Sequence, residues 1–224
     1  MKKNKVFIAC DSRNIQKIKK IINQTQNKDI VIGYKFGLEF LNSKNGRNFV
    51  SNLKNKTIFA DLKLHDIPNT CASTVEAIKD LKVNYLTIHI SSGIEALRSV
   101  KKVSGNIKVV GVTILTSLDN KALKEIGFNK DVKKLVLQQA RLANKAKLDA
   151  IVCSAQEAKI VKRVFKKELI TPGIRFSSNI NDQKRTSTPK QAYRNGADWL
   201  VIGRDLTKGN IKKNIQILID HLNQ

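Results

Sequence analysis

Short apolar runs alternate with amphipathic stretches along the whole chain, and this rhythm limits the fold more than any other feature. Val6 to Cys10 is apolar and closes on Asp11, after which Ile15, Ile18, Ile21 and Ile22 recur at helical spacing. The couplet returns with Ile30–Phe36, Thr57–Leu64, Tyr85–Ile90, Lys108–Leu115, Ala150–Ser154, Leu169–Arg175 and Trp199–Arg204 as the apolar runs. Helical patterns stand between them: Leu38 to Leu53, interrupted near Gly46; Ala72, Val75, Ile78 and Leu81; Ile94, Leu97, Val100 and Val103; Val132, Leu135, Val136, Ala140 and Ala143; and Ile211 to Leu222. Strands that read as continuous apolar runs are covered on both faces, as in parallel sheets joined by helical crossovers. Eight such strands in 224 residues, with no linker, predict an α/β fold: one (β/α)8 TIM barrel spanning 1–224 as a single domain. A doubly wound sheet is the competing architecture, and the strand count disfavours it. No G-x-G-x-x-G follows the first strand, so dinucleotide binding has no support.

The third run leads into the densest group of charges, Asp61-Leu62-Lys63-Leu64-His65-Asp66-Ile67-Pro68-Asn69-Thr70. Alternation along a strand puts Asp61 and Lys63 on one face and Leu62 and Leu64 on the other. Opposite charges on one face of a buried strand are costly unless they pair or face a polar cavity. Pro68 suits the first turn of the next helix. Two readings fit. One is a structural ion pair, with Asp66 or Asn69 capping that helix. The other is a charged array at a strand mouth, in which carboxylates keep an ammonium protonated as a proton donor.

In a barrel the C-terminal strand ends form one face, and that face carries the chemistry. Asp11, Lys35, Asp61, Lys63, His89, Thr116, Ser154, Arg175 and Arg204 all fall at or just past those ends. Each alone is explained by a cap, a pair or a satisfied histidine; the joint pattern is not. Phosphate sites in such barrels use the loops after strands seven and eight, which here begin Gly173-Ile174-Arg175 and Gly203-Arg204. The long polar stretch from Phe176 to Thr188 reads either as a functional loop, with Gln183 as a phosphate donor, or as an ordinary surface loop.

A net charge of +24 and a pI near 10.1 raise the question of nucleic acid. The lysines are spread through every segment rather than gathered in an arm, which reads as solvated faces, with no nucleic-acid partner expected. A positive field would still recruit an anionic small substrate. The cysteines, Cys10, Cys71 and Cys153, are far apart and lack C-x-x-C spacing, so they read as buried free thiols in a reducing cytoplasm. The apolar run after the basic N-terminus is too short for a signal segment, and no run approaches the ~18 residues of a membrane span. A cytoplasmic chain with no membrane partner is expected.

These motifs resemble the orotidine 5′-phosphate decarboxylases of the bacterial type. The match runs through Asp61 to Thr70, Thr171-Pro172-Gly173-Ile174-Arg175, Asn181-Asp182-Gln183 and Val201-Ile202-Gly203-Arg204, and spans almost the whole chain. The resemblance implies decarboxylation of orotidine 5′-phosphate to uridine 5′-phosphate in pyrimidine biosynthesis, with no metal or organic cofactor. It implies that Lys63 protonates C6 of the pyrimidine. Asp61, Lys35 and Asp66 complete the charged array, with Asp66 supplied by the other subunit of a homodimer. Asp11 and Lys35 meet the ribose, Thr116 and Ser117 the pyrimidine, and Arg175, Gln183, Gly203 and Arg204 the phosphate. Ile67 and Thr70 join the substrate-binding set within the central motif. D-x-K-x-x-D is shared with sugar-phosphate aldolases and decarboxylases on the same barrel, where a metal requirement would point. A basic nucleic-acid-binding barrel is the reading from another class.

Overall fold

The computed structural model describes residues 3–176 and 185–223. Its strands are β1 (Lys5–Ala9), β2 (Val31–Gly37), β3 (Thr57–Leu64), β4 (Tyr85–His89), β5 (Lys108–Val112), β6 (Ala150–Val152), β7 (Glu168–Thr171) and β8 (Trp199–Ile202). They pair in parallel in sequence order and close between β1 and β8, giving the expected (β/α)8 barrel. The outer layer comprises α1 (Ile15–Gln24), α2 (Leu38–Leu41), α3 (Gly46–Ser51), α4 (Pro68–Ala77), α5 (Gly93–Val103), α6 (Asn120–Glu125), α7 (Val132–Lys145), α8 (Ala155–Val164), α9 (Pro189–Arg194), α10 (Arg204–Thr207) and α11 (Ile211–Asn223). No helix among the described residues is long and apolar enough to cross a membrane.

Alternation along each strand separates two cores. Outward residues such as Ile8, Phe36, Ile58, Leu86, Val109 and Leu200 pack against helix residues including Ile18, Val75, Leu97, Val136, Val161 and Leu218. Inward residues Phe7, Phe59, Tyr85, Val110, Ile170 and Trp199 fill the interior. Phe7 stacks on Trp199 with ring centroids 4.0 Å apart, and Phe59 and Tyr85 lie 5.0 and 5.2 Å from Phe7. Gly33 makes room for this plug, since a Cβ there would fall 2.5 Å from the Phe7 ring. Truncating a buried ring of this kind costs about 3 kcal/mol or more. The interior is therefore solid below its midpoint, and only the inward positions above the plug remain for chemistry.

Several elements differ from the sequence reading. The Leu38–Leu53 stretch is two short helices, α2 and α3, as the break at Gly46 suggested; a Cβ on Gly46 would lie 1.7 Å from the Phe40 carbonyl oxygen. Strand β5 stops at Val112 and β7 at Thr171, short of the ends of their apolar runs, because the chain leaves the ladder while still buried. Helix α6 lies between β5 and α7, where the sequence reading places no helix, and is opened by Asp119 accepting from the Ala122 amide at 2.9 Å. Cys10, Cys71 and Cys153 are all buried free thiols, as expected.

Candidate active site

The inward register of β2 and β3 puts Lys35 and Asp61 directly above the aromatic plug. Asp61 sits at the centre of a chain of charges. Its Oδ2 accepts from Lys63 Nζ at 2.8 Å and lies 3.3 Å from Lys35 Nζ. Lys35 Nζ in turn donates to Asp11 Oδ1 at 3.2 Å. Burial opposes the Asp61 charge, but Lys35 and then Lys63 outweigh it and hold the carboxyl below its ordinary range. Burial likewise opposes the Lys35 charge, and Asp61 followed by Asp11 holds that ammonium above its ordinary value. Sites of this kind, where desolvation and specific partners contend, are where proton chemistry is placed.

Lys63 is held by its backbone as well. Its φ is +50°, a left-handed conformation that costs a side-chain-bearing residue about 1–2 kcal/mol. The β3–β4 register steps from Ala60 opposite Leu86 to Leu64 opposite Ile88, four residues on β3 against two on β4, so the strand bulges around Lys63. Thr87 supports the bulge. Its Oγ1 accepts from the Lys63 amide at 2.7 Å and donates to Asp61 Oδ1 at 3.1 Å. This strain gives a stability test. Lys63→Gly should be more stable than Lys63→Ala by about 1 kcal/mol, because glycine adopts the left-handed region freely. Urea denaturation of the two variants would show it, and equal midpoints would mean that the backbone there is not strained.

A pH dependence follows from Asp61. Its ordinary value is near 3.8, and the folded value is lower. The unfolded chain therefore takes up this proton at a higher pH than the folded chain. Stability from the Asp61 charge is fully present above the unfolded value and is lost as pH falls through the folded one. The stability gap between wild type and Asp61→Asn should narrow on acidification. A gap that widens in urea titrations carried below about pH 4 would contradict the assignment.

The charged chain forms one wall of a cavity of about 290 Å³. Asp11, Lys35, Asp61 and Lys63 line it with Thr116 and, from the β7 and β8 ends, Gly173, Arg175, Gly203 and Arg204. Gly173 has φ +77°, which glycine supplies at no steric cost, and it sets the turn that carries Arg175. Asp205 braces that turn: its Oδ2 accepts from the Phe176 amide at 3.0 Å, and its Oδ1 is 3.9 Å from Arg175 Nε.

The structure does not bring every expected residue into this cavity. Ser117 is exposed beyond Thr116 and does not line it. Asp66, Ile67 and Thr70 are exposed on the rim. Asp66 does not cap α4 in the usual way; the cap position is Ile67, whose amide donates to Asp66 Oδ1 at 2.7 Å. Ser154 caps α8 and contacts Glu157 instead of the cavity. His89 lies against His65, with ring centroids 5.1 Å apart. Burial, then His65 and Lys63, lower its pKa, so it is neutral at neutral pH. Gln183 lies outside the described residues. Sequence reasoning missed Thr87, whose signal was a small hydroxyl side chain two residues after Tyr85, on the same inward face of the Tyr-Leu-Thr-Ile run.

A barrel mouth that joins a buried lysine–carboxylate chain to paired arginines is the arrangement of an enzyme for a small phosphate-bearing anion. Comparison with known proteins narrows this. The chain belongs to the family described as orotidine 5′-phosphate decarboxylase / HUMPS, whose profile matches residues 4–214. It is 44% identical over 224 residues to the orotidine 5′-phosphate decarboxylase of Wolbachia sp. subsp. Brugia malayi, covering 96% of this chain and 97% of that one. It is 42% identical over 213 residues to that of Wolbachia pipientis subsp. Culex pipiens, covering 92% and 93%. The crystal structure of orotidine 5′-phosphate decarboxylase from Lactobacillus acidophilus superposes with a TM-score of 0.83 at 28% identity, covering 99% of this chain and all of that one.

Proposed function

We propose that Lys63 donates the proton in the decarboxylation of orotidine 5′-phosphate to uridine 5′-phosphate, and that the whole of 1–224 acts as one barrel domain in this reaction. The chain is a carbon–carbon lyase of pyrimidine biosynthesis. The observation that carries the Lys63 role is its ammonium 2.8 Å from buried Asp61, on a strained backbone that fixes where it points. As the bond from C6 to the carboxylate breaks, its electron pair stays on C6 and carbon dioxide leaves. A fixed ammonium stabilises that charge and then passes a proton from Nζ to C6. Lys35 keeps Asp61 charged, and Asp61 keeps Lys63 in place. Asp11 and Lys35 hold the ribose. Thr116, with Ser117 beside it, meets the pyrimidine, while Arg175, Gln183, Gly203 and Arg204 hold the phosphate.

The active unit is a homodimer with shared sites, Asp66 reaching the partner's mouth and Ile67 and Thr70 contributing from the same segment. Two features support this. Asp66 is exposed and does not line its own cavity, its Oδ1 accepting from the Ile67 amide, and Ile67 and Leu38, just past the ends of neighbouring strands, are 65% and 51% exposed, an apolar rim suited to a second copy. Three buried free thiols suit the reducing cytoplasm. The sugar-phosphate branch of the family, with a divalent cation, is disfavoured by charge: two ammonium groups lie within 3.3 Å of Asp61, where they would repel one.

Absorbance-monitored turnover of orotidine 5′-phosphate, with and without a chelator, tests this reading. Turnover indifferent to chelation is expected; no turnover, or turnover abolished by chelation, would refute it. The phosphate grip has its own test. Arg204→Ala should raise KM for the nucleotide by about a hundred-fold while leaving a phosphate-free analogue nearly unchanged, since a lost bidentate charged contact is worth about 3 kcal/mol. An analogue that suffers equally would remove Arg204 from the phosphate site.

A further inference from the structure

Outside the charged chain, Arg185 is a buried cation whose two terminal nitrogens are both engaged, while its Nε is buried without a partner among the described residues. Its side chain is 10% exposed, and its partner Glu157, on α8, is 7% exposed. Nη1 donates to Glu157 Oε1 at 2.8 Å. Nη2 donates to two successive backbone carbonyls, Ile114 at 3.1 Å and Leu115 at 2.9 Å. The second Glu157 oxygen accepts from Ser154 Oγ, the residue that opens α8. One guanidinium thus ties together three segments that leave the barrel after β5, β6 and β7.

The tie stands behind the cavity. Ile114 and Leu115 line it, and Thr116 is the next residue. Beyond Thr113, whose amide and Oγ1 both donate to the Val152 carbonyl at 3.3 and 2.8 Å, this segment has left the sheet. Its Ile114 carbonyl is held by Arg185, and the Leu115 carbonyl is shared with the Leu118 amide at 3.0 Å. The β7 turn is anchored to the same segment two residues further on, by backbone bonds that do not use the Arg185 side chain: the Arg175 amide donates to the Ser187 carbonyl at 2.9 Å, and the Ser187 amide to the Gly173 carbonyl at 3.0 Å. Loss of Arg185 should therefore loosen the Thr116 side of the cavity more than the Arg175 side.

We propose that Arg185 is a positioning residue for base recognition: paired with Glu157, its fork fixes the Ile114–Thr116 wall against which the pyrimidine sits. This rests on the reading that Thr116 faces the base. Burying a charged pair is expensive, and replacing it by apolar residues is often neutral or stabilising, so stability alone is a weak reason for it. The planar fork is what reaches two carbonyls and a carboxylate at once, which an ammonium cannot do.

Direct binding of two ligands by calorimetry tests the proposal on the full chain. Uridine 5′-phosphate carries base, sugar and phosphate; ribose 5-phosphate lacks the base. Arg185→Ala should weaken uridine 5′-phosphate by about ten-fold or more and ribose 5-phosphate by less than about two-fold, the scale of one or two lost hydrogen bonds to a positioned wall. Equal weakening of both ligands, or unchanged affinity for uridine 5′-phosphate, would overturn it. Arg185→Lys keeps a cation opposite Glu157 and so protects the fold; the same selective loss is expected, and its absence in that variant also overturns the proposal. Wild-type turnover of orotidine 5′-phosphate, measured first, tests the functional reading separately.

Discussion

Lys63→Ala is expected to lower kcat by at least about a thousand-fold while leaving the barrel folded. The size of the effect follows from the double duty of one group. A positioned proton donor contributes about 10²–10⁴, and a fixed charge at the developing carbanion contributes on a similar scale, so removing both at once leaves little. The fold should survive because Asp61 is not left alone. Lys35 remains 3.3 Å from its Oδ2, and Thr87 still donates to its Oδ1. Lys63 is itself 33% exposed at the mouth, so its loss opens no sealed cavity. Single-turnover absorbance measurements, alongside a thermal melt, separate the two effects. A variant that keeps most of the wild-type kcat would end the proton-donor assignment.

Mixing two inactive variants should restore activity. Asp66→Ala is expected to be nearly as damaging as Lys63→Ala if Asp66 completes the partner's charged array. In a heterodimer of Lys63→Ala with Asp66→Ala, shared sites put both lesions in one site and neither in the other. Random exchange makes half of the dimers mixed, and one of two sites in each is intact, so activity should return to about a quarter of wild type. The exposed Asp66 and the apolar Ile67 beside it are what this arrangement requires of a single chain. If mass measurements confirm exchange and no activity appears, Asp66 serves its own subunit and the shared-site proposal fails.

The barrel was legible in the sequence because parallel strands buried on both faces must be apolar throughout, and the residues that interrupt them stand out. Asp61 was readable from alternation as a charge needing a partner or a polar cavity, and Lys35 as a charge at a strand end. Lys63 was placed beside Asp61 by the same rule, but the rule does not hold there: the chain bulges and takes a left-handed φ, so the contact comes from strained backbone rather than from alternation. Thr87 was hidden by its chemistry, since threonine is common in strands and only its partners reveal its role. Arg185 and Glu157 were illegible for another reason. They lie 28 residues apart on segments whose meeting depends on barrel closure, and no local pattern encodes that. Helix α8, just after β6, is faint in the sequence because its buried face is made of Ala155, Glu157, Ala158 and Val161, small residues and a carboxylate rather than a large apolar stripe.

The aromatic plug has a consequence for watching this protein fold. Trp199 is the only tryptophan in the chain, and it stacks on Phe7 across the seam where the last strand meets the first. That contact joins residues near the two ends of the sequence, the kind of long-range pairing that is entropically costly to form early. The plug lies directly beneath the charged mouth, but Trp199, unlike Phe59, does not line the cavity, and the plug is closed from below where the Tyr85 hydroxyl and Lys108 meet Glu168. Intrinsic fluorescence of this single indole is therefore a natural clock for ring closure: it reports when the barrel becomes a barrel, and it is shielded from what the mouth is holding.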